Sequence, residues 1–257
     1  MMTLRRLRIT MVFVLCLHVF LPLQACDSSM LEILTGSNPG ESLSAMLLSV
    51  SLKMQNVANY IKGFNNAAAE NLHREVMEAW LNIASQITVN YPGFASEDAD
   101  FNGYMIQIAR DLGAVRRKLA SQELENAHDI LEVCVTRMSL ISAIINGQKR
   151  IREFLELELG ILTLRPLNQE PAELKRSIEN FDLPEKLACL QLNKLSESKK
   201  FGADLTSSFK TFYKSISVPG SKISTEAKIL YQKVLDEFIK LKHALLAAGY
   251  FQDSRSP

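Results

Sequence analysis

An all-α fold, a helical bundle, is expected from three features of this chain. Leu, Ala, Glu and Lys are common, while Gly and Pro number only 11 and 8 among 257 residues. That mixture favours helices over a turn-rich sheet. Apolar residues recur at three- and four-residue steps over long stretches, the signature of helices with one buried face. In the first half these stretches are joined by short connections, which argues for up-down-up-down packing because each stripe must be buried against its neighbours. With 47% apolar and 22% charged residues, a real core can form and disorder is not expected. The length suits one large domain or two small ones.

The N-terminus reads as an export signal. Arg5, Arg6 and Arg8 precede an apolar stretch from Ile9 to Leu21, which is shorter than the roughly 20 residues a membrane span needs. An ordinary signal peptidase takes small residues at both −3 and −1, and Leu23 is wrong for −3. The boundary Leu23-Gln24-Ala25-Cys26 instead resembles the lipobox of bacterial lipoproteins. The resemblance covers only the first 26 residues. It implies that residues 1–25 are removed as a signal peptide, that the Cys26 thiol carries a diacylglycerol, and that Cys26 becomes the N-terminus. Such acyl chains hold a protein to a membrane without a spanning helix, each buried CH₂ contributing about 0.8 kcal/mol. The resemblance therefore implies a membrane-anchored protein of a bacterial cell envelope. In enteric bacteria an Asp after the lipidated Cys resembles an inner-membrane retention signal, and Asp27 stands there; the rule varies between groups, so inner and outer membrane both stay open. Without Arg5, Arg6 and Arg8, the 29 basic residues fall to 26 against 28 acidic ones, a net charge near −2. No clustered basic face marks a nucleic-acid partner.

Residues 26–40 hold the lipidated Cys and a tether, with Gly36, Ser37, Asn38, Pro39 and Gly40 in a loop composition. Residues 41–147 are expected to form a four-helix bundle. Its first helix runs from about Glu41 to Lys62, with Leu43, Leu47, Val50, Met54, Val57 and Ile61 in one stripe. The second runs from about Ala67 to Val89, with Leu72, Val76, Trp80, Ile83 and Ile87, and is stopped by Asn90-Tyr91-Pro92-Gly93. Ser96 is a suitable N-cap for the third, followed by Glu97 and Asp98 at the positive end of its dipole; Tyr104, Ile108, Leu112, Val115 and Leu119 make the stripe. Ser121 is expected to cap the fourth, whose stripe is Ala127, Leu131, Cys134, Met138, Ile141 and Ile145 and whose end is Asn146-Gly147.

Residues 148–257 form a helical second half, possible as one continuous domain with the first. The segment from Arg150 to Leu164 contains the alternation Leu155-Glu156-Leu157-Glu158-Leu159, but helix is favoured over strand. Pro166 and Pro171 bracket a loop. A helix is expected from about Pro184 to Ser215, broken near Gly202, and a last one from about Thr225 to Ala248, stopped at Gly249. Ile87-Thr88-Val89 and Ile216-Ser217-Val218 each precede a Pro-Gly pair. Helical hairpins converge on such turns, so an eroded repeat is the weaker explanation, and no solenoid period is present.

The sharpest chemical pattern is a pair of Glu-x-x-His motifs, Glu70 with His73 and Glu125 with His128. A three-residue step puts both side chains on one helix face, where they can present an oxygen and a nitrogen to one divalent metal. Di-iron bundles use two such motifs plus carboxylates from the other two helices. Here the matching helix ends carry Lys62, Arg116, Arg117 and Lys118, which repel a cation. The favoured expectation is that the acids serve helix dipoles and the histidines sit half-exposed. Haem lacks its covalent motif, Cys-x-x-Cys-His, and Met54, Met77, Met105 and Met138 at core spacing read as packing. Cys134 and Cys189 either pair in an oxidising envelope or remain separate buried thiols. His243, between Lys240 and Lys242, is expected on a solvated face. No phosphate-binding loop or nucleophile elbow occurs.

Taken together, a non-enzymatic envelope lipoprotein is expected, held to the membrane by its N-terminal lipid and binding an envelope protein partner or supporting an assembly, without a cofactor. A metal- or haem-binding bundle in redox chemistry or metal handling is the alternative of a different class. A carrier with a cavity between helices is a third.

Overall fold

The computed structural model describes residues 42–90, 99–166, 171–192, 196–216 and 223–252. Among these the fold is all-α: α1 Ser42–Lys62, α2 Asn66–Asn90, α3 Ala99–Ala120, α4 Leu124–Ile145, α5 Lys149–Thr163, α6 Pro171–Glu179, α7 Leu183–Cys189, α8 Ser196–Ile216 and α9 Thr225–Ala247. Cys26, Ser96 and the two Pro-Gly turns lie outside the described residues.

The first four helices form an up-down ring. α1 packs on α2 and α4, and α3 packs on α4 and α2. The expected stripes meet inside it: Met54, Val57, Val76, Ile83, Ile108, Leu112, Leu131 and Met138 are all buried in one cluster. Trp80 is buried there too. A second cluster begins at Leu140 and Ala143 on the end of α4 and continues through α5 to α9. Phe154 is its centre, stacked on Phe238 at 5.4 Å between ring centroids and meeting Phe251 edge-on at 5.2 Å. α4 therefore contributes to both clusters and ties the halves together.

Four helices end in the same way. At each C-terminus one N–H returns to the carbonyl three back and the next to the carbonyl five back, the Schellman arrangement. These bonds run from Phe64 to Ile61 and Asn65 to Tyr60, from Gln122 to Leu119 and Glu123 to Lys118, from Gly147 to Ile144 and Gln148 to Ala143, and from Gly249 to Leu246 and Tyr250 to Leu245. The position between must adopt positive φ, which suits glycine. Gly147 and Gly249 provide it as expected, but Phe64 and Gln122 occupy the other two.

Several boundaries differ from expectation for local reasons. Ser121 does not cap α4; it belongs to the terminal turn of α3, its hydroxyl donates to Glu123 at 2.8 Å, and Glu123 stands at the N-cap position. Pro171 opens α6, a helix for which there was no expectation, the first helical position being one where its missing N–H costs nothing. The long helix expected from Pro184 breaks after Cys189, not at Gly202. Gly202 lies inside α8, where a Cβ would stand 2.8 Å from Leu192 Cδ1, so its lack of a side chain serves close packing. The ambiguous Leu155–Leu159 segment is helical, within α5.

Candidate functional site

The two Glu-x-x-His motifs diverge. α2 and α4 are not neighbours in the ring, since α2 packs against α1 and α3 while α4 packs against α1, α3 and α5. His73 follows the buried Ala69 by four residues and precedes the buried Val76 by three, so it sits in the middle of the buried face of α2 and is itself buried at 2% exposure. The half-exposed placement expected for it is wrong. Burial lowers its pKa; the Leu112 carbonyl on α3 opposes that shift and the Arg116 charge adds to it. Nε2 of this ring is buried without a hydrogen-bond partner. Beside it, Glu70, His73, Arg74, Met77, Arg116 and Leu119 line a groove of about 330 Å³ between α2 and α3.

His128 faces elsewhere. Its Nδ1 lies 3.8 Å from Asp129 Oδ1 and 3.9 Å from Glu132 Oε1, on its own helix. Arg165, just beyond α5, binds both carboxylates. Burial works against the Arg165 charge, but Glu132, Tyr231 and Asp129 outweigh it and raise its pKa. Tyr231, buried on α9, donates to the Ile161 carbonyl at 3.0 Å, and burial raises its pKa. This polar knot joins α4, α5 and α9.

The candidate four-residue metal set of Glu70, His73, Glu125 and His128, the disfavoured alternative, is not formed. Among the described residues, the three-membered group whose ligand atoms fall within 4.8 Å of one another is His128, Asp129 and Glu132, which includes neither Glu70, His73 nor Glu125. The guanidinium of Arg165 already supplies the positive charge those carboxylates balance. Met54 and Met138 are buried in the core, and the Met138 sulfur accepts from the Ser51 hydroxyl at 3.8 Å.

Cys134 and Cys189 are both free. Cys134 is buried on α4, where burial pushes its thiol pKa well up. Cys189, at the end of α7, is exposed, so the pairing left open from the sequence is not made. Beside Cys134, Arg137 binds Asp111 across α3 and α4. Burial raises the Asp111 pKa and Arg137 opposes it.

The buried ion pairs had no expectation behind them, and Lys242 corrects one. Lys242, taken to lie on a solvated face with its neighbours, is only 3% exposed and binds Glu158 on α5 at 3.0 Å. Lys242 follows Phe238 by four residues and Leu241 by one, which turns its stem onto the buried face. His243, one residue on, is exposed as expected. Compared with protein-family models, with curated proteins and with solved structures, the chain matches none.

Proposed function

We propose that this protein is an envelope lipoprotein, held to its membrane through acyl chains on Cys26, whose helical body is a non-enzymatic binding module for an envelope partner. The observation that carries the reading is Leu23-Gln24-Ala25-Cys26 placed directly after an Arg-rich, then apolar, segment. No helix among the described residues is long and apolar enough to cross a membrane. The character of the buried charges supports a binding rather than a catalytic body. Lys242 with Glu158, Arg137 with Asp111, and Arg165 with Asp129 and Glu132 are engaged with one another across helices. Such pairs fix helix register; each group is already committed to a partner inside the fold.

The test is metabolic labelling with a fatty-acid probe in the native host. The wild-type chain should take up label and fractionate with membranes, and Cys26→Ala should abolish labelling and leave the chain misprocessed or released. Equal labelling of the two would remove the anchor from the account.

A further inference from the structure

The turn between α1 and α2 carries a residue that its geometry does not favour. Phe64 occupies the left-handed position of a Schellman turn, with φ of 55°. In L-residues that conformation brings Cβ against the following carbonyl, which is why glycine is usual there. Gly63 stands one position too early to serve. The Phe64 side chain is also 85% exposed, so core packing does not repay the strain. Tyr60, on the last turn of α1, is 41% exposed at the same end of the bundle.

The surroundings are basic. Up-down topology puts the end of α3 level with the α1–α2 turn. Lys62, Arg116 and Arg117 are exposed at this end, and Arg74 one further turn along α2. Lys118 is bound to Glu123 at 2.6 Å. Glu70 and Glu125 are exposed acids nearby, Glu75 beside Arg74 is paired with Lys53 at 2.9 Å, and Asp129 and Glu132 are tied to Arg165. An acidic mature chain thus presents a locally positive end, with two aromatic rings at its apex.

We propose that this end of the bundle is a membrane-docking tip: Tyr60 and Phe64 enter the headgroup region of a bilayer, and Lys62, Arg116 and Arg117 face its anionic lipids. Aromatic rings concentrate at that level of a membrane, and basic side chains gain from a negative lipid surface. Two rings are too few to hold a protein alone, so the tip acts as a second contact for a chain already tethered, and in this the proposal rests on the Cys26 anchor. Covalent reach permits it. Residues 27–41 can extend up to about 50 Å, whereas α1, with 21 residues, is about 32 Å long. The end remote from Ser42 can therefore return to the surface that holds Cys26.

The experiment uses the full acylated protein carrying Phe64→Trp, reconstituted in vesicles of phosphatidylglycerol and phosphatidylethanolamine. Trp80, the one native tryptophan, is buried and supplies a background measured on the parent. The added indole should emit to the blue of its value in water and be quenched by lipids spin-labelled near the headgroup. Lys62→Gln with Arg116→Gln and Arg117→Gln should lower the ratio of docked to undocked tip about a hundred-fold, at roughly 1 kcal/mol for each cation. Emission as in water, untouched by the quenchers, would overturn the proposal. A photo-cross-linking residue at position 64 in cells gives the second reading: lipid adducts support the tip, whereas adducts to another protein or to a second copy assign this face elsewhere. Phe64→Gly should keep the fold and, with the photo-cross-linking residue placed at position 60 instead, lower the yield of lipid adducts. Lipid on Cys26 is measured on the same samples. An acylated chain with a solvated tip refutes docking alone; a chain without acyl groups refutes the anchor and, with it, a tip that acts only as a second contact.

Discussion

Lys242→Met should destabilise the protein by about 3–5 kcal/mol, the usual effect of removing one partner from a buried ion pair. Lys242 and Glu158 are 3% and 7% exposed, and the Nζ–Oε1 distance is 3.0 Å. Methionine keeps most of the apolar stem, so packing loss is small and the cost lies in the Glu158 carboxylate left without a counter-charge. Alanine in its place would add the loss of three buried methylenes, roughly 2.4 kcal/mol. Against a total stability of about 5–15 kcal/mol for a domain, even the methionine change is a large fraction. The double change, Lys242→Met with Glu158→Leu, should fall within about 1 kcal/mol of wild type or be more stable, since apolar pairs of similar volume replace buried ion pairs without loss. Urea unfolding followed by far-ultraviolet circular dichroism measures all three variants. A Lys242→Met midpoint within about 1 kcal/mol of wild type would refute the reasoning, because it would mean that the pair is hydrated and not a buried link between α5 and α9.

Three further outcomes follow from the same structure. At Gly160 a Cβ would overlap the Phe181 ring, so Gly160→Ala should lose about 1–2 kcal/mol in urea unfolding: overpacking and disturbance of the Phe181–Phe209 contact at 5.7 Å outweigh about 1 kcal/mol of helix propensity. A gain in stability would show that the ring is not there. Burial holds the His73 pKa below 6.5, so the unfolded chain takes up that proton first. The stability involved is complete above about pH 6.5 and is lost as pH falls from there toward the lower folded value. His73→Gln should flatten that part of a stability–pH curve, and an unchanged slope would put the ring in water. A thiol reagent with mass mapping should modify exposed Cys189 in the native protein and Cys134 only on unfolding; early modification of Cys134 would contradict its burial.

The bundle was legible because its signal is local. Leu43, Leu47, Val50, Met54, Val57 and Ile61 all face the core as their spacing required, and α1 and α2 begin and end within a residue of expectation. His73 was legible too, but was assigned to the flank. Position 73 fits the step from Ala69 to Val76 better than Leu72 does, but a polar residue at a core position adds nothing to an apolar stripe. Ser121 misled for a different reason. A serine before acids is a sound capping pattern, but the preceding helix closes through Ser121, Gln122 and Glu123 and uses their geometry first. Lys242 and Glu158 are 84 residues apart, and Arg165 lies 36 and 33 residues from Asp129 and Glu132. No periodicity within one helix reports which of its charges will meet a counter-charge on another. The metal idea failed on that same point: two motifs in matching turns converge only if both face the bundle interior, and His73 does while His128 turns toward Asp129 and Glu132, which Arg165 binds.

The central claim, that Cys26 anchors the chain, is tested most directly by intact-mass measurement of the protein purified from its native membranes. The account predicts a polypeptide that lacks residues 1–25 and is heavier than residues 26–257 by at least a diacylglyceryl group. Fragmentation should place that group on Cys26. A chain that still begins at Met1, or one cleaved elsewhere with an unmodified Cys26 thiol, would contradict it.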